Sequence, residues 1–373
     1  MSGAEAAERF MRRAIELAEA GRGLTSPNPM VGAVVVSQGD VVGEGFHARD
    51  GGPHAEIEAL RAAGARARAA TLYVTLEPCA HHGRTPPCAS ALIEAGVARV
   101  VAAVADPNPL VSGGGFAQLR AAGIEVVVGP GAVEAERQNR VFLTAMRERR
   151  PHVTLKAAMT LDGKIADLHG ASRWITGELA RQRAHRLRSE SDAIVVGIGT
   201  VLRDDPELTV RLGPPWPREP LRVVLDTGAR TPVGARLIRA GRPSCAVIAV
   251  GADAPQKRRE ALALTGATIV TCRTRDGRVD LGALLTELFA REVRAVLVEG
   301  GGDVHGAFLD AGLVDRVAMF AAPLLIGGRG ATPVVGGAGR ELKSAIRLGG
   351  LTTTPLGDDL LVEADVVRGP RSV

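Results

Sequence analysis

Short apolar runs alternate with amphipathic stretches along nearly the whole chain, which restricts it to layered α/β architectures with helices covering a sheet. The first cycle opens with a helix over Ser2–Ala20, capped by Ser2, with Phe10, Ala14, Leu17 and Ala18 on one face. Strands over Val31–Val36 and Val41–Phe46 turn through Gly39-Asp40. A helix His54–Ala65, a strand Thr71–Leu76, a helix starting near Cys88, a strand Val97–Ala105, a helix Phe116–Ala122 and a strand Ile124–Val128 complete an α/β sandwich. The stretch Ala132–Arg150 reads as helix and ends in Arg147-Glu148-Arg149-Arg150 before Pro151. A charge run into proline predicts a boundary between a domain of residues 1–149 and one of residues 150–373. The second domain repeats the alternation. Strands fit Val153–Ala158, Ala193–Val196, Leu221–Leu225, Ala246–Val250, Thr268–Thr271, Ala295–Val298, Val317–Phe320 and Leu360–Val366, and helices fit Glu178–Ser189, Ala254–Leu264 and Leu281–Arg291.

Composition narrows the function classes. At 373 residues, 46% apolar and 23% charged, the chain has the balance of a soluble two-domain protein. No apolar run reaches the roughly 18 residues of a membrane span. Met1–Arg13 lacks the apolar centre of a signal peptide, so a cytoplasmic enzyme is expected, with no membrane partner. The net charge of +5 is carried by arginine, with lysine only at Lys156, Lys164, Lys257 and Lys343. That charge suits an anionic small molecule. With only 3% aromatic residues and no dense basic run, nucleic acid is not the expected partner. Four cysteines, Cys79, Cys88, Cys245 and Cys272, are too few for a disulfide framework and are available as metal ligands in a reducing compartment.

The sharpest chemical signal is His54-Ala55-Glu56 followed by Glu77-Pro78-Cys79 and Cys88. Catalytic zinc takes three protein ligands and keeps a fourth position for water. His54, Cys79 and Cys88 supply that set, with two thiolates balancing the dication and lowering of the water pKa providing a nucleophile at neutral pH. Glu56, two residues after His54 on the first turn of a helix, is placed for general acid–base work rather than ligation. A closed structural site with His81 or His82 as fourth ligand would leave Glu56 without a task. The deaminase signature separates its cysteines by two residues, whereas eight intervene here. The insertion ends in Pro86-Pro87, so Cys88 is expected to open a helix whose dipole favours the thiolate.

In the second half, the apolar strand Ala295–Val298 runs through Glu299 into Gly300-Gly301-Gly302 and then a helix. Such a turn brings backbone N–H groups to a pyrophosphate, although it is not the Gly-x-Gly-x-x-Gly fingerprint.

The runs Ser26-Pro27-Asn28-Pro29-Met30-Val31-Gly32, His54-Ala55-Glu56 and Glu77–Cys88 resemble the bifunctional riboflavin-biosynthesis deaminase/reductase family, whose version of the motif has the longer cysteine spacing. Lys156–Ile165, Ser172–Thr176, Val196–Arg211 and Val298–Gly306 extend the resemblance over nearly the whole chain. The resemblance implies a cytidine-deaminase-like three-layer sandwich followed by a dihydrofolate-reductase-like domain. It implies zinc-dependent removal of the 2-amino group of 2,5-diamino-6-ribosylamino-4(3H)-pyrimidinone 5′-phosphate, with Glu56 catalytic. NADPH then reduces the ribose of 5-amino-6-(5-phosphoribosylamino)uracil to the ribitylamino product. On matching positions, Asn28, His47, His81 and Arg84 would line the pyrimidine pocket; Arg84 stands where the family usually has lysine. Ala158, Trp174, Thr200, Asp204 and, more loosely, Thr227 would contact the cofactor, with Gly301, Gly302, Asp303, Val304, His305, Gly306 and Ala307 under it. Ser172, Arg188, Leu208, Arg211 and Glu299 would contact the reductase substrate, and Lys156 would approach its sugar or phosphate. A homo-oligomer, dimer or tetramer, is implied as well.

Two other readings share parts of this pattern. A nucleic-acid or nucleoside cytidine/adenosine deaminase would use the same zinc core and leave residues 151–373 unexplained. A zinc-stabilised binding protein would show full coordination by protein and no turnover.

Overall fold

The computed structural model describes residues 3–80, 87–108, 112–213 and 215–368; the expected Ser2 cap, His81 and Arg84 lie outside the described residues. The chain divides into two compact units, Met1–Arg149 and Arg150–Val373.

The first unit runs α1 (Gly3–Ala18), β1 (Gly32–Ser37), β2 (Asp40–Phe46), α2 (Ala55–Ala63), β3 (Thr71–Leu76), α3 (Cys88–Glu94), β4 (Arg99–Val104), α4 (Gly114–Ala121), β5 (Glu125–Val128), α5 (Ala132–Gln138) and α6 (Arg140–Glu148). Its sheet has the order β2-β1-β3-β4-β5. β1 is antiparallel to both neighbours, and β3, β4 and β5 are parallel. Strand side chains alternate between faces, and the apolar pattern of β1 uses both. Ala33 and Val35 pack under α2, α3 and α4 with Ala59, Leu92, Phe116 and Leu119. Val34 and Val36 pack under α1, α5 and α6 with Met11, Ala14, Ala135 and Leu143. This is the three-layer sandwich.

The stretch expected as one helix over Ala132–Arg150 is two. The break falls at Asn139, whose buried side chain is otherwise engaged: its Oδ1 accepts from Met30 N at 2.8 Å and its Nδ2 donates to Met30 O at 2.7 Å. The break thereby anchors the loop that carries Asn28.

The second unit runs β6 (His152–Thr160), β7 (Lys164–Ala166), α7 (Glu178–Ser189), β8 (Ala193–Gly197), α8 (Ile198–Asp204), β9 (Leu221–Leu225), α9 (Arg236–Arg239), β10 (Ala246–Gly251), α10 (Gln256–Ala263), β11 (Thr268–Cys272), β12 (Thr274–Arg275), β13 (Arg278–Val279), α11 (Leu281–Ala290), β14 (Ala295–Val298), α12 (Gly302–Asp310), β15 (Arg316–Ala322), β16 (Thr332–Pro333), β17 (Leu348–Leu356) and β18 (Asp359–Val366). Its main sheet has the order β11-β10-β9-β8-β14-β6-β15-β18-β17. The strands from β11 to β15 are parallel, and β18 and β17 complete it antiparallel. The parallel strands are apolar on both faces because helices cover both. Val195 and Val223 face Leu284, Leu288 and Phe308, and Ile194 and Val224 face Leu237 and Leu262.

Seven of these elements have no counterpart in the sequence expectations: β7, α8, α9, β12, β13, β16 and β17. β17 is mostly exposed and lacks the alternation that marks a half-buried strand. α8 is a short helix inside a stretch read only as a motif.

Candidate zinc centre and reductase cavity

In the first unit β2 leads into the N-terminus of α2, and His54 occupies the N-cap position with extended backbone. β3 ends at Leu76, and the chain passes through Glu77 and Pro78 to Cys79, while Cys88 is the first residue of α3. The three side chains converge: His54 Nδ1, Cys79 Sγ and Cys88 Sγ all lie within 4.8 Å of one another. His54 Nδ1 is 3.1 Å from Cys88 Sγ and 3.7 Å from Cys79 Sγ. Tetrahedral zinc with the usual bond lengths separates a nitrogen and a sulfur ligand by about 3.6 Å, so the donor set fits that ion in both chemistry and spacing.

The N-terminal N–H of α3 does not serve the cysteine expected. Cys88 N donates to the sulfur of Cys79, at 3.3 Å. A hydrogen bond from the Cys88 thiol, with further ones from His54 and this N–H, pulls the Cys79 thiol down to about 4, whereas the hydrogen bond to Cys79 and burial push the Cys88 thiol up. Bound zinc would favour the thiolate form of both. Glu56, on the first turn of α2, is 3% exposed, and burial raises its carboxyl above the ordinary range. The His54 charge and the Cys88 thiol both act on this carboxyl, which puts it beside the metal position, as a proton carrier requires.

Two features position this cluster. The buried Glu77 carboxylate accepts from Gly115 N and Phe116 N with one oxygen and from Asp106 N and Gly113 N with the other, all at 3.1–3.2 Å. Gly115 is obligatory, because a Cβ there would stand 1.8 Å from Pro78 O. In the sequence Glu77 stands only as part of the Cys79 motif; nothing local marks it as a clamp on a distant loop. Asn28 and His47 also reach the site. Their side chains lie 3.4 Å apart, and the His47 ring meets the His54 ring edge-on with centroids 5.4 Å apart.

The second unit holds a cavity of about 550 Å³ over the C-terminal ends of β8, β14 and β6. Of the expected cofactor contacts, Ala158, Trp174, Thr200, Asp204, Gly301, Gly302, Asp303, Val304 and His305 line it. Gly306 and Ala307 do not, and neither does Thr227, whose hydroxyl accepts from Val279 N at 3.2 Å. All the expected substrate contacts, Lys156, Ser172, Arg188, Leu208, Arg211 and Glu299, line it.

The glycine turn divides its labour. A Cβ on Gly300 would meet Val304, one on Gly302 would stand 2.5 Å from Pro333 O, and one on Gly306 2.4 Å from Gly336 O. These three glycines admit the protein's own chain. Gly301 alone of the triplet faces open space, as does Gly199 at the start of α8 on the neighbouring strand. The N-termini of α8 and α12 thus open side by side on the cavity, and paired helix N-termini suit a pyrophosphate.

Arg188 spends its fork on Glu299, at 2.7 and 2.8 Å, and also donates to Thr209 O at 3.0 Å. It is therefore a buried ion-pair partner rather than an open phosphate clamp. Lys156 Nζ is 3.8 Å from the same carboxylate. Burial opposes ionisation of Glu299, but Arg188 and Lys156 outweigh it and hold the carboxyl at about 2. His185, which sequence reasoning passed over, lines the cavity with its ring nitrogens 3.2 Å from Arg211 N and 3.3 Å from Arg211 Nε. Burial and the adjacent Arg188 and Arg211 charges push it down to about 4, so it is neutral. Trp174 is 71% exposed at the rim, under the Arg181 guanidinium.

A cytidine-deaminase-type zinc sandwich followed by a doubly covered mixed sheet with a nucleotide-sized cavity defines a two-activity enzyme. The family model for the cytidine and deoxycytidylate deaminase zinc-binding region matches residues 4–104, and that for the RibD C-terminal domain matches residues 151–362. The chain is 43% identical to the riboflavin biosynthesis protein RibD of Actinobacillus pleuropneumoniae, over 96% of this chain and 95% of that one. It is 45% identical to RibD of Escherichia coli over 86% and 88%. The solved structure of Acinetobacter baumannii RibD superposes with a TM-score of 0.88 at 38% identity, covering 98% of this chain and 100% of that one. The deaminase/reductase of Thermotoga maritima superposes with a TM-score of 0.83 at 37% identity, covering 98% and 99%. The chain belongs to the riboflavin biosynthesis protein RibD family.

Proposed function

We propose that this chain carries out two consecutive steps of riboflavin biosynthesis. The first unit hydrolyses the 2-amino group of 2,5-diamino-6-ribosylamino-4(3H)-pyrimidinone 5′-phosphate, releasing ammonia. The second reduces C1′ of the ribose in 5-amino-6-(5-phosphoribosylamino)uracil to give the ribitylamino product. The single observation carrying the reading is the convergence of His54, Cys79 and Cys88 beside the buried Glu56. Bound zinc supplies a readily ionised water, and bound NADPH supplies the hydride.

The protein's own groups do the rest. Glu56 takes the proton of the attacking water and returns it to the departing amine, work for which a carboxyl raised by burial is suited. Asn28 and His47 orient the heterocycle; the family resemblance assigns His81 and Arg84 to the same substrate. In the second unit the open N-termini at Gly199 and Gly301 receive the cofactor phosphates, and Trp174 covers it from the rim. The Lys156–Glu299–Arg188 group faces the sugar, and Arg211 at the mouth faces its phosphate.

The deciding experiment is metal analysis combined with a two-step assay, ammonia release and then NADPH oxidation. Glu56→Gln should keep one zinc per chain and lose ammonia release. Undiminished release would reject the role of Glu56, and protein without zinc would reject the deaminase reading.

The assembly is read as a homo-oligomer, dimer or tetramer. β17 is an edge strand with Leu348 and Leu351 exposed, and Leu324, Leu325 and Ile326 stand exposed after β15. Light scattering that gave a monomer mass at micromolar concentration would refute this. Among the described residues no helix is long and apolar enough to cross a membrane. A cytoplasmic location suits the free thiols of the zinc ligands.

A further inference from the structure

The Asn28 amide is a symmetric-looking group whose two ends have opposite hydrogen-bonding character, so the ligand it selects depends on which end faces the pocket. Two neighbours decide this. Asn28 Nδ2 lies 3.0 Å from Asp50 Oδ1 and 3.4 Å from His47 Nε2. A carboxylate only accepts, so the end of the amide beside Asp50 is the NH₂ end. His47 agrees independently. Its Nδ1 lies 2.9 Å from Pro53 O, and because a carbonyl also only accepts, Nδ1 carries the proton and Nε2 presents its lone pair to Asn28. Both N–H bonds of the amide are therefore used within the protein.

The backbone around them is tied down. Asp50 N donates to Leu24 O at 3.2 Å, Asn28 N donates to Thr25 O at 2.9 Å, and Asn139 clasps Met30. Among the described residues nothing donates to Asn28 Oδ1. The edge-on contact of the His47 and His54 rings sets this arrangement directly beside the metal ligands.

We infer that Asp50 is a positioning residue for the deaminase, locking the Asn28 amide so that it shows the pocket a hydrogen-bond acceptor and selects a heterocycle with an N–H donor on that edge. The inference rests on the deaminase reading of the first unit and adds a polarity to it. An aminopyrimidinone carries ring and exocyclic N–H groups that meet the requirement. A heterocycle with a carbonyl or a bare ring nitrogen at that position would place two acceptors face to face. Asp50 acts through Asn28 and not on a reacting atom.

The test uses the full, zinc-loaded chain and compares Asp50→Leu with Asp50→Asn. Both keep the native side chain's number and branching of heavy atoms, but only Asn keeps an oxygen that accepts from Nδ2. A hydrogen bond to a charged group is worth about tenfold in an equilibrium. It is made alike in the ground and transition states, so its loss raises KM and spares kcat. Asp50→Leu should raise the deaminase KM about tenfold with kcat within about twofold, and Asp50→Asn should stay within about threefold of the parent KM. Zinc content and NADPH oxidation by the second unit are measured on the same preparations as checks of folding, and Asp50→Ala replaces Asp50→Leu if the latter loses zinc. An unchanged KM in Asp50→Leu, or equal impairment of Asp50→Leu and Asp50→Asn, overturns the inference. Loss of zinc from every variant also overturns it, since Asp50 would then be a folding residue. Failure of the parent enzyme to release ammonia would instead overturn the deaminase reading itself.

Discussion

Replacing Glu77 by glutamine changes no shape and no volume, yet it should loosen the zinc centre. Each carboxylate oxygen accepts two backbone N–H groups, from Gly115 and Phe116 on one side and from Asp106 and Gly113 on the other. Glutamine has one oxygen, so in either flip its NH₂ faces two N–H donors. Two hydrogen bonds disappear from a side chain that is 4% exposed, leaving donors without acceptors. Each such loss costs about 1–3 kcal/mol, so the total is about 4 kcal/mol. For a unit of 149 residues that corresponds to a fall of about 8–16 °C in Tm. The damage should spread to the metal, because the first turn of α4 rests on Pro78, between Glu77 and Cys79. Residues that support metal ligands typically change affinity by about 10–100-fold when removed. Calorimetry of the zinc-loaded chain and the rate of zinc capture by a chelator read both effects. If Glu77→Gln melted and released zinc as the parent does, the four N–H contacts would not be what holds the Cys79 loop.

Cys88→Ser should lower bound zinc from one per chain to near zero by metal analysis while leaving NADPH oxidation in the second unit intact, since the cluster lies wholly within the first unit. Glu299 is held at about 2 against an ordinary value of 4.5, so its stabilisation is fully present above about pH 4.5 and is lost as the pH falls toward 2. Glu299→Gln should flatten that acid limb of the second unit's stability and cost about 3–5 kcal/mol at neutral pH by leaving Arg188 and Lys156 unpaired, as thermal melts across pH would show. NADPH should quench the fluorescence of Trp174, which lines the cavity at its rim. A Trp216→Phe background isolates the signal, and an unchanged spectrum would place the nicotinamide elsewhere.

Much of this protein is legible in its sequence alone. The β1 run Ala33–Val36 is apolar at every position, and a strand covered on both faces is what such a run specifies. His54-x-Glu56 and the two cysteines could be named because zinc chemistry dictates both the donor types and a carboxylate beside them. Other features depended on residues distant in sequence. Asn139 breaks a helix that local propensity would continue, because its amide is needed by Met30, 109 positions earlier. Glu77 closes on a loop some 29 to 39 residues later, and Arg188 finds Glu299 after 111. The glycine triplet is uniformly suited to a phosphate by its sequence, but only Gly301 is open to one, since Gly300 makes room for the Val304 side chain and Gly302 for the distant backbone at Pro333. Periodicity and donor chemistry are properties of nearby residues and can be read along the chain. The partner of a buried polar group is set by which distant backbone arrives beside it, and that is decided only when the sheets close.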